Sequence, residues 1–137
     1  MKSVGIFGSC ERGSLSMRKD IIDGLSKNGI EFFDCYKENW DPLIDGHNEA
    51  KHLVEDDIIL YPISSSSFAF ISLAEIGFAV TNVITRDARL IVMIQDLDDS
   101  TKWDIRRKPS EDTRFLVKSH MEKIGPKTEG KVFLVNT

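Results

Sequence analysis

Apolar positions along the chain recur in two rhythms, short continuous runs and helical spacing, and the rhythms alternate. Residues 4–7 (Val4, Gly5, Ile6, Phe7) form a brief apolar run that ends in Gly8-Ser9, the pattern of a buried strand entering a turn. Met17, Ile21, Ile22 and Leu25 then share one face of a helix, with Ser14 or Ser16 to cap its start and Gly29 to end it in a left-handed conformation. Residues 30–36 return to strand, and Asn39-Trp40-Asp41-Pro42 makes a turn. A polar stretch over 47–55 predicts a short helix, and Asp56-Asp57 leads into the strand Ile58-Ile59-Leu60-Tyr61. After four serines, 64–67, the segment 71–84 is apolar almost all the way round, which predicts a deeply packed helix. Residues 90–94 form a strand, 95–108 a charged loop around Trp103, 110–124 an amphipathic helix stopped by Gly125-Pro126, and 132–135 a last strand.

Strands alternating with helices have one economical arrangement, a parallel sheet with helices on both faces, because parallel strands bury both faces and crossovers are right-handed. The expectation is therefore an α/β protein, a single-domain flavodoxin/Rossmann-like three-layer sandwich with a five-stranded parallel sheet over residues 1–137. In such sheets ligands bind beyond the carboxyl ends of the strands, which directs attention to the loops after Phe7, Tyr36, Tyr61 and Ile94.

Composition narrows the class. A length of 137 residues suits one domain, and 41% hydrophobic with 29% charged residues is ordinary globular usage, so disorder is excluded. No apolar run is long enough for a membrane helix, and Met1-Lys2-Ser3 leads into a strand pattern instead of a signal peptide. A cytoplasmic protein with no membrane partner is expected. Cys10 and Cys35 lack zinc spacing, and His47, His52 and His120 form no metal pattern, so no metal site is expected. The net charge of −4 has its acidic excess in the first half, and the basic cluster Arg106-Arg107-Lys108 reads as a solvated face. No nucleic-acid partner is expected.

Candidate chemistry lies in two loops. Gly8 and Ser9 open a small polar loop, 8–14, placed like a phosphate cradle, although neither GxxxxGK[ST] nor GxGxxG is present. A Cys-x5-Arg loop from Cys10 fails because Ser16 stands where the arginine belongs. Arg18, in the first turn of the following helix, points at a ligand over this loop or is solvated. In the second segment Glu75 sits among apolar residues near a helix start, and a carboxylate there is costly unless it is hydrogen-bonded or used. Two readings stand. Ser72-x-x-Glu75 fits a capping box, and the functional reading is a nucleophile or base at a pocket floor. Trp40 is a base-stacking or a core residue, and Trp103 a lid or a loop residue.

The stretch Ser72-Leu73-Ala74-Glu75-Ile76-Gly77-Phe78-Ala79 resembles the nucleophile-bearing helix of the nucleoside 2-deoxyribosyltransferase family, in which it follows a strand ending in Leu-Tyr, here Leu60-Tyr61. The likeness extends over Ile6-Phe7-Gly8-Ser9, Ser16-Met17-Arg18, Phe32-Phe33-Asp34 with Asn39-Trp40, and Glu49 ahead of Asp56-Asp57. It implies an N-glycosyl transferase or hydrolase with Glu75 as covalent nucleophile and no metal or redox cofactor. It also implies a nucleoside or nucleotide and a nucleobase as small-molecule partners, with Gly8, Ser9, Arg18, Trp40, Asp41 and Ser72 as substrate-binding residues. Family members are oligomers that share residues across interfaces, which implies a homo-oligomer and draws attention to Asn136. The family's aspartate after Leu-Tyr is replaced by Pro62, and its opening-strand tyrosine by Ile6-Phe7. Sugar recognition is thus expected from Ser9, Arg18, Asp41 or the serine run. The alternative is a non-catalytic nucleotide-binding module of the same fold, with Glu75 as a helix cap. An FMN-binding protein of flavodoxin type is a third reading.

Overall fold

The computed structural model describes residues 2–9 and 15–135. Each apolar run becomes a strand of one parallel sheet: β1 Val4–Ile6, β2 Phe33–Asp34, β3 Ile58–Ile63, β4 Arg89–Ile94 and β5 Val132–Val135, in the order β2-β1-β3-β4-β5. Between them run α1 Leu15–Lys27, α2 Asp45–Glu55, α3 Phe70–Ile84 and α4 Arg107–Ile124. The expected flavodoxin-like α/β architecture is what forms.

Chain direction decides the layers. A right-handed crossover puts its helix on a face set by which way the chain steps along the sheet. Only β1 to β2 steps towards one edge, and every later connection steps the other way. Accordingly Ile21, Ile22 and Leu25 of α1 pack on Val4, Ile6 and Leu60 from one face. Leu53 of α2, Leu73, Ile76, Ala79 and Val83 of α3, and Met121 of α4 cover the opposite face through Phe7, Ile59, Tyr61, Ile63, Leu90 and Val92. The main core lies on this side, and the third layer is the single helix α1. Phe133 and Val135 of β5 accordingly remain partly exposed.

Local chemistry sets the ends of the elements. The α1 terminus is a Schellman turn, in which Ile30 N–H donates to Leu25 O (2.9 Å), Gly29 N–H donates to Ser26 O (3.0 Å), and Gly29 has φ 67°. Asp41 accepts from Leu43 N (2.8 Å) and so opens the turn before α2. Strand β2 is much shorter than the run 30–36, since an edge strand has one ladder partner and Ile30 to Phe32 pass outside β1's reach. Helix α4 starts before Pro109, not after it, because a proline in the first turn removes an N–H that has no partner there. The all-round burial expected of α3 does not occur. Leu73, Ile76, Ala79 and Val83 are buried, while Ile71 is 77% and Phe78 55% exposed. One face of α3 meets the sheet and the other has no layer above it. Among the described residues no helix is long and apolar enough to cross a membrane.

Candidate functional site

The order β2-β1-β3 reverses the direction of chain travel at β1 and β3, and loops leaving adjacent strands on opposite sides open a crevice there. A cleft of about 670 Å³ occupies that position at the carboxyl ends of the strands. Gly8 and Ser9 from the end of β1, Trp40 from the loop after β2, Glu49 from α2, and Ser72 and Glu75 from α3 line it.

Its floor is made rigid by contacts between β1 and β3. Ser9 N–H donates to Pro62 O (2.9 Å), and Ser9 Oγ accepts from Ser64 N (3.3 Å). Gly8 has φ 87°, and a Cβ there would lie 2.2 Å from Pro62 O, so only glycine permits this approach. Tyr61 is wholly buried, its ring stacked on Phe7 at 5.7 Å, and its hydroxyl is directed at Glu75 in the cleft wall.

That hydroxyl donates a short hydrogen bond to Glu75 Oε2. Glu75 is only partly buried, so one side of its carboxylate is anchored and the rest faces the cleft. Burial, then the charge of Glu75 and the hydrogen bond to it, push the Tyr61 phenol far above its ordinary range and keep it a donor. The capping-box reading of Glu75 is overturned here. Helix α3 is entered through Ala69 with no side-chain cap, and Ser72 is its third residue, not its cap. Ala69 has φ 54°, a left-handed alanine that costs about 1–2 kcal/mol, at the edge of the cleft.

A second carboxyl faces the same space. Glu49 is held above the ordinary carboxylate range, first by burial and then by the charge of Glu75, against the opposing pull of a hydrogen bond from Trp40 and of Arg18. The cleft thus pairs an anchored carboxylate with a carboxyl that retains its proton more readily, under the half-exposed Trp40 indole.

Several expected site residues lie elsewhere. Arg18 is 2% exposed, pairs with Asp34 (2.7 Å) and donates to Phe7 O (2.6 Å), so it braces β1 against β2 and does not line the cleft. The cause is the sheet itself, which brings Asp34 beside β1. Asp41 is exposed, serves the turn before α2 and stays outside the lining. Trp103 is 91% exposed beneath Lys102 and does not cover the cleft. Conversely, the basic cluster is not simply solvated. Arg106 lines the cleft, with its guanidinium 4.5 Å from the Phe68 ring centre, and Arg107 pairs with Glu111 (2.6 Å) and donates to Thr101 Oγ1 (2.9 Å). His52 stacks on Phe33 and bonds Asp56 (3.0 Å), and no cluster of His, Cys, Asp or Glu suited to a metal occurs among the described residues. Cys10, Ser14 and Asn136 lie outside the described residues.

Tyr61, Glu49 and Arg106 are site residues that the sequence does not mark individually, and Ser67 is marked only as one of the four serines offered for sugar recognition. Leu60-Tyr61 and Glu49 carry a signal through their place in the family likeness, whereas Arg106 reads as loop polarity.

No protein-family profile matches the chain, and no curated protein matches it. Among solved structures it is similar to the TIR domains in the structure of the activated Roq1 resistosome directly recognizing the pathogen effector XopQ. The TM-score is 0.59 at 16% identity, over 98% of this chain and 87% of that one. The likeness is one of fold, the flavodoxin-like α/β sheet described above.

Proposed function

We propose that the cleft cleaves or transfers the N-glycosidic bond of a nucleoside or nucleotide, with Glu75 as the nucleophile. The observation that carries this reading is the Tyr61–Glu75 pair, a carboxylate held by a buried donor while it faces a cleft at the strand ends. A capping role would have turned Glu75 back to the helix start, and it does not do so.

The chemistry follows from the two carboxyls. As the bond from anomeric carbon to base nitrogen stretches, positive charge grows on the sugar, and an ionised Glu75 stabilises it. A Glu75 oxygen bonds to the anomeric carbon, and the C–N electron pair leaves with the base. Glu49, whose hold on a proton is strengthened by burial and the Glu75 charge, supplies a proton to the departing nitrogen. Water or a second base then attacks the same carbon and gives up a proton to the now ionised Glu49, the carbon–oxygen bond to Glu75 breaks, and the two inversions restore the starting stereochemistry. The Tyr61 hydroxyl bonds Glu75 and Tyr61 does not line the cleft, so it is a positioning residue. The indole of Trp40 offers a face for the base.

The test incubates 2′-deoxynucleosides and their monophosphates with a free base and follows base release by chromatography. Glu75→Gln is expected to abolish release while leaving the melting temperature unchanged within a few degrees. A 2-fluoro-substituted deoxynucleoside is expected to leave a mass adduct on Glu75. Equal turnover by wild type and Glu75→Gln would remove the nucleophile assignment.

A further inference from the structure

One end of the cleft is built from groups that the N-glycosyl chemistry does not use. Phe70, Ile71 and Ser72 open α3 in the cleft wall, and no side chain caps them. The first N–H groups of a helix have no intrahelical acceptor, and the positive end of the helix dipole lies with them. Such an end attracts anions, but water ordinarily satisfies it, so it is insufficient by itself.

Ser67 supplies an independent observation. It is 1% exposed, it lines the same cleft, and its Oγ is buried with no hydrogen-bond partner among the described residues. Buried hydroxyls are almost always paired, so an orphan in a cleft wall marks a place where a partner arrives from outside. Its backbone is held in place, because Arg114, itself 2% exposed, donates to the carbonyl oxygens of Ser67 and Ser64. Arg106 brings a positive charge to the same cleft over the Phe68 ring, braced by Asp104 at 2.7 Å. Three donors of different origin therefore belong to residues lining one cleft: helix N–H groups, a buried hydroxyl and a guanidinium.

We infer that this end of the cleft binds a phosphate ester carried by the substrate sugar, held by the start of α3, the Ser67 hydroxyl and Arg106. Spacing supports the link to Glu75. Glu75 lies five residues after Phe70 and three after Ser72, which is about 4.5–7.5 Å of rise from the orphan N–H groups. A furanose ring and one methylene separate the anomeric carbon from a 5′-phosphate, a span of the same order. Arg18, the arginine that the sequence offers for this role, is committed to Asp34 and the Phe7 carbonyl. The identity of the sugar carbon at Glu75 rests on the N-glycosyl reading, whereas the phosphate contacts do not.

Calorimetry on Glu75→Gln, which binds without turnover, tests the site. The probes are 2′-deoxyadenosine 5′-monophosphate against 2′-deoxyadenosine, 2-deoxyribose 5-phosphate against 2-deoxyribose, and inorganic phosphate. Each phosphorylated ligand is expected to bind at least about tenfold more tightly than its unphosphorylated partner, as charge-assisted hydrogen bonds require. Adding Ser67→Ala or Arg106→Gln should remove most of that preference and leave the affinity for deoxyadenosine within twofold. Ser67→Ala should not lower the melting temperature, since the hydroxyl it deletes has no partner to lose.

Equal affinity of phosphorylated and unphosphorylated ligands, no binding of either phosphorylated ligand, or a preference that survives both substitutions would overturn the inference. Inorganic phosphate binding as tightly as the monophosphate would overturn it too, by separating the anion from the sugar. A phosphate preference with no base release from any nucleotide by wild type would refute the N-glycosyl reading and leave the phosphate site standing. Release from nucleosides without that preference would do the reverse.

Discussion

Tyr61→Phe isolates the contact on which the proposed chemistry depends. The phenylalanine keeps the ring, its buried volume and its stacking on Phe7, so the packing contribution cancels and the loss is one hydroxyl. A hydrogen bond to a charged acceptor contributes about 1.5–3 kcal/mol when the acceptor has no substitute. Glu75 is only partly buried, and water can replace the phenol in the folded protein, which places the stability cost nearer 1 kcal/mol. For a domain of this size that is a fall in Tm of about 3–5 °C. The kinetic effect should be larger than the stability effect. Water holds the carboxylate in no fixed direction, and losing a near-attack geometry for an oxygen nucleophile costs on the order of tenfold to a hundredfold in rate. The assay measures base release under saturating and limiting substrate, alongside urea denaturation. The expected result is a fall of at least about tenfold in kcat with KM within threefold, because the hydroxyl touches Glu75 and not the ligand. A folded Tyr61→Phe with kcat within twofold of wild type would refute the positioning argument. A change confined to KM would move Tyr61 from positioning to ligand binding.

Two further outcomes follow from the same geometry. Arg18→Met should cost about 3 kcal/mol in denaturant unfolding, since it strands Asp34 and the Phe7 carbonyl beside the sheet, whereas a loss of affinity with full stability would contradict its burial. Glu49 is protonated more readily in the folded protein than in the unfolded chain, so its contribution is fully present below pH about 4.5 and is lost as pH rises through its raised folded value. Glu49→Gln should therefore be more stable than wild type at pH 7, with the gain shrinking as pH falls and vanishing below about 4.5, and a stability difference independent of pH would be inconsistent with the assignment.

Legibility differs sharply between the framework and the site. The strands at 58–63, 89–94 and 132–135 and the end of α1 at Gly29 stand close to where the hydrophobic rhythm and turn chemistry place them. The position of Glu75 in a loop-helix segment behind the strand that carries Tyr61 was also readable. What Glu75 bonds to was not. A capping box is a local pattern, and Ser72-x-x-Glu75 satisfies it, yet α3 begins three residues too early for Ser72 to be the cap. Arg18 shows the same limit in reverse, since nothing near it in sequence indicates that Asp34 will lie alongside. Ser67 and Arg106 come together from loops after different strands, and their residue types alone read as solvated polarity.

The sequence by itself determined the alternation of strand and helix, the parallel α/β class and the loops in which a ligand site would lie. Those features depend on periodicity and turn residues within a window of a few positions, where each residue's preference can be read directly. Only the tertiary structure decided that Tyr61 anchors Glu75, that Glu49 shares their space, that Arg18 is spent inside the sheet, and that the exposed face of α3 has no covering layer. These follow from the strand order β2-β1-β3, which sets side by side groups distant along the chain. Burial and charge act through space, so the chemistry of each carboxyl depends on neighbours that no local pattern names.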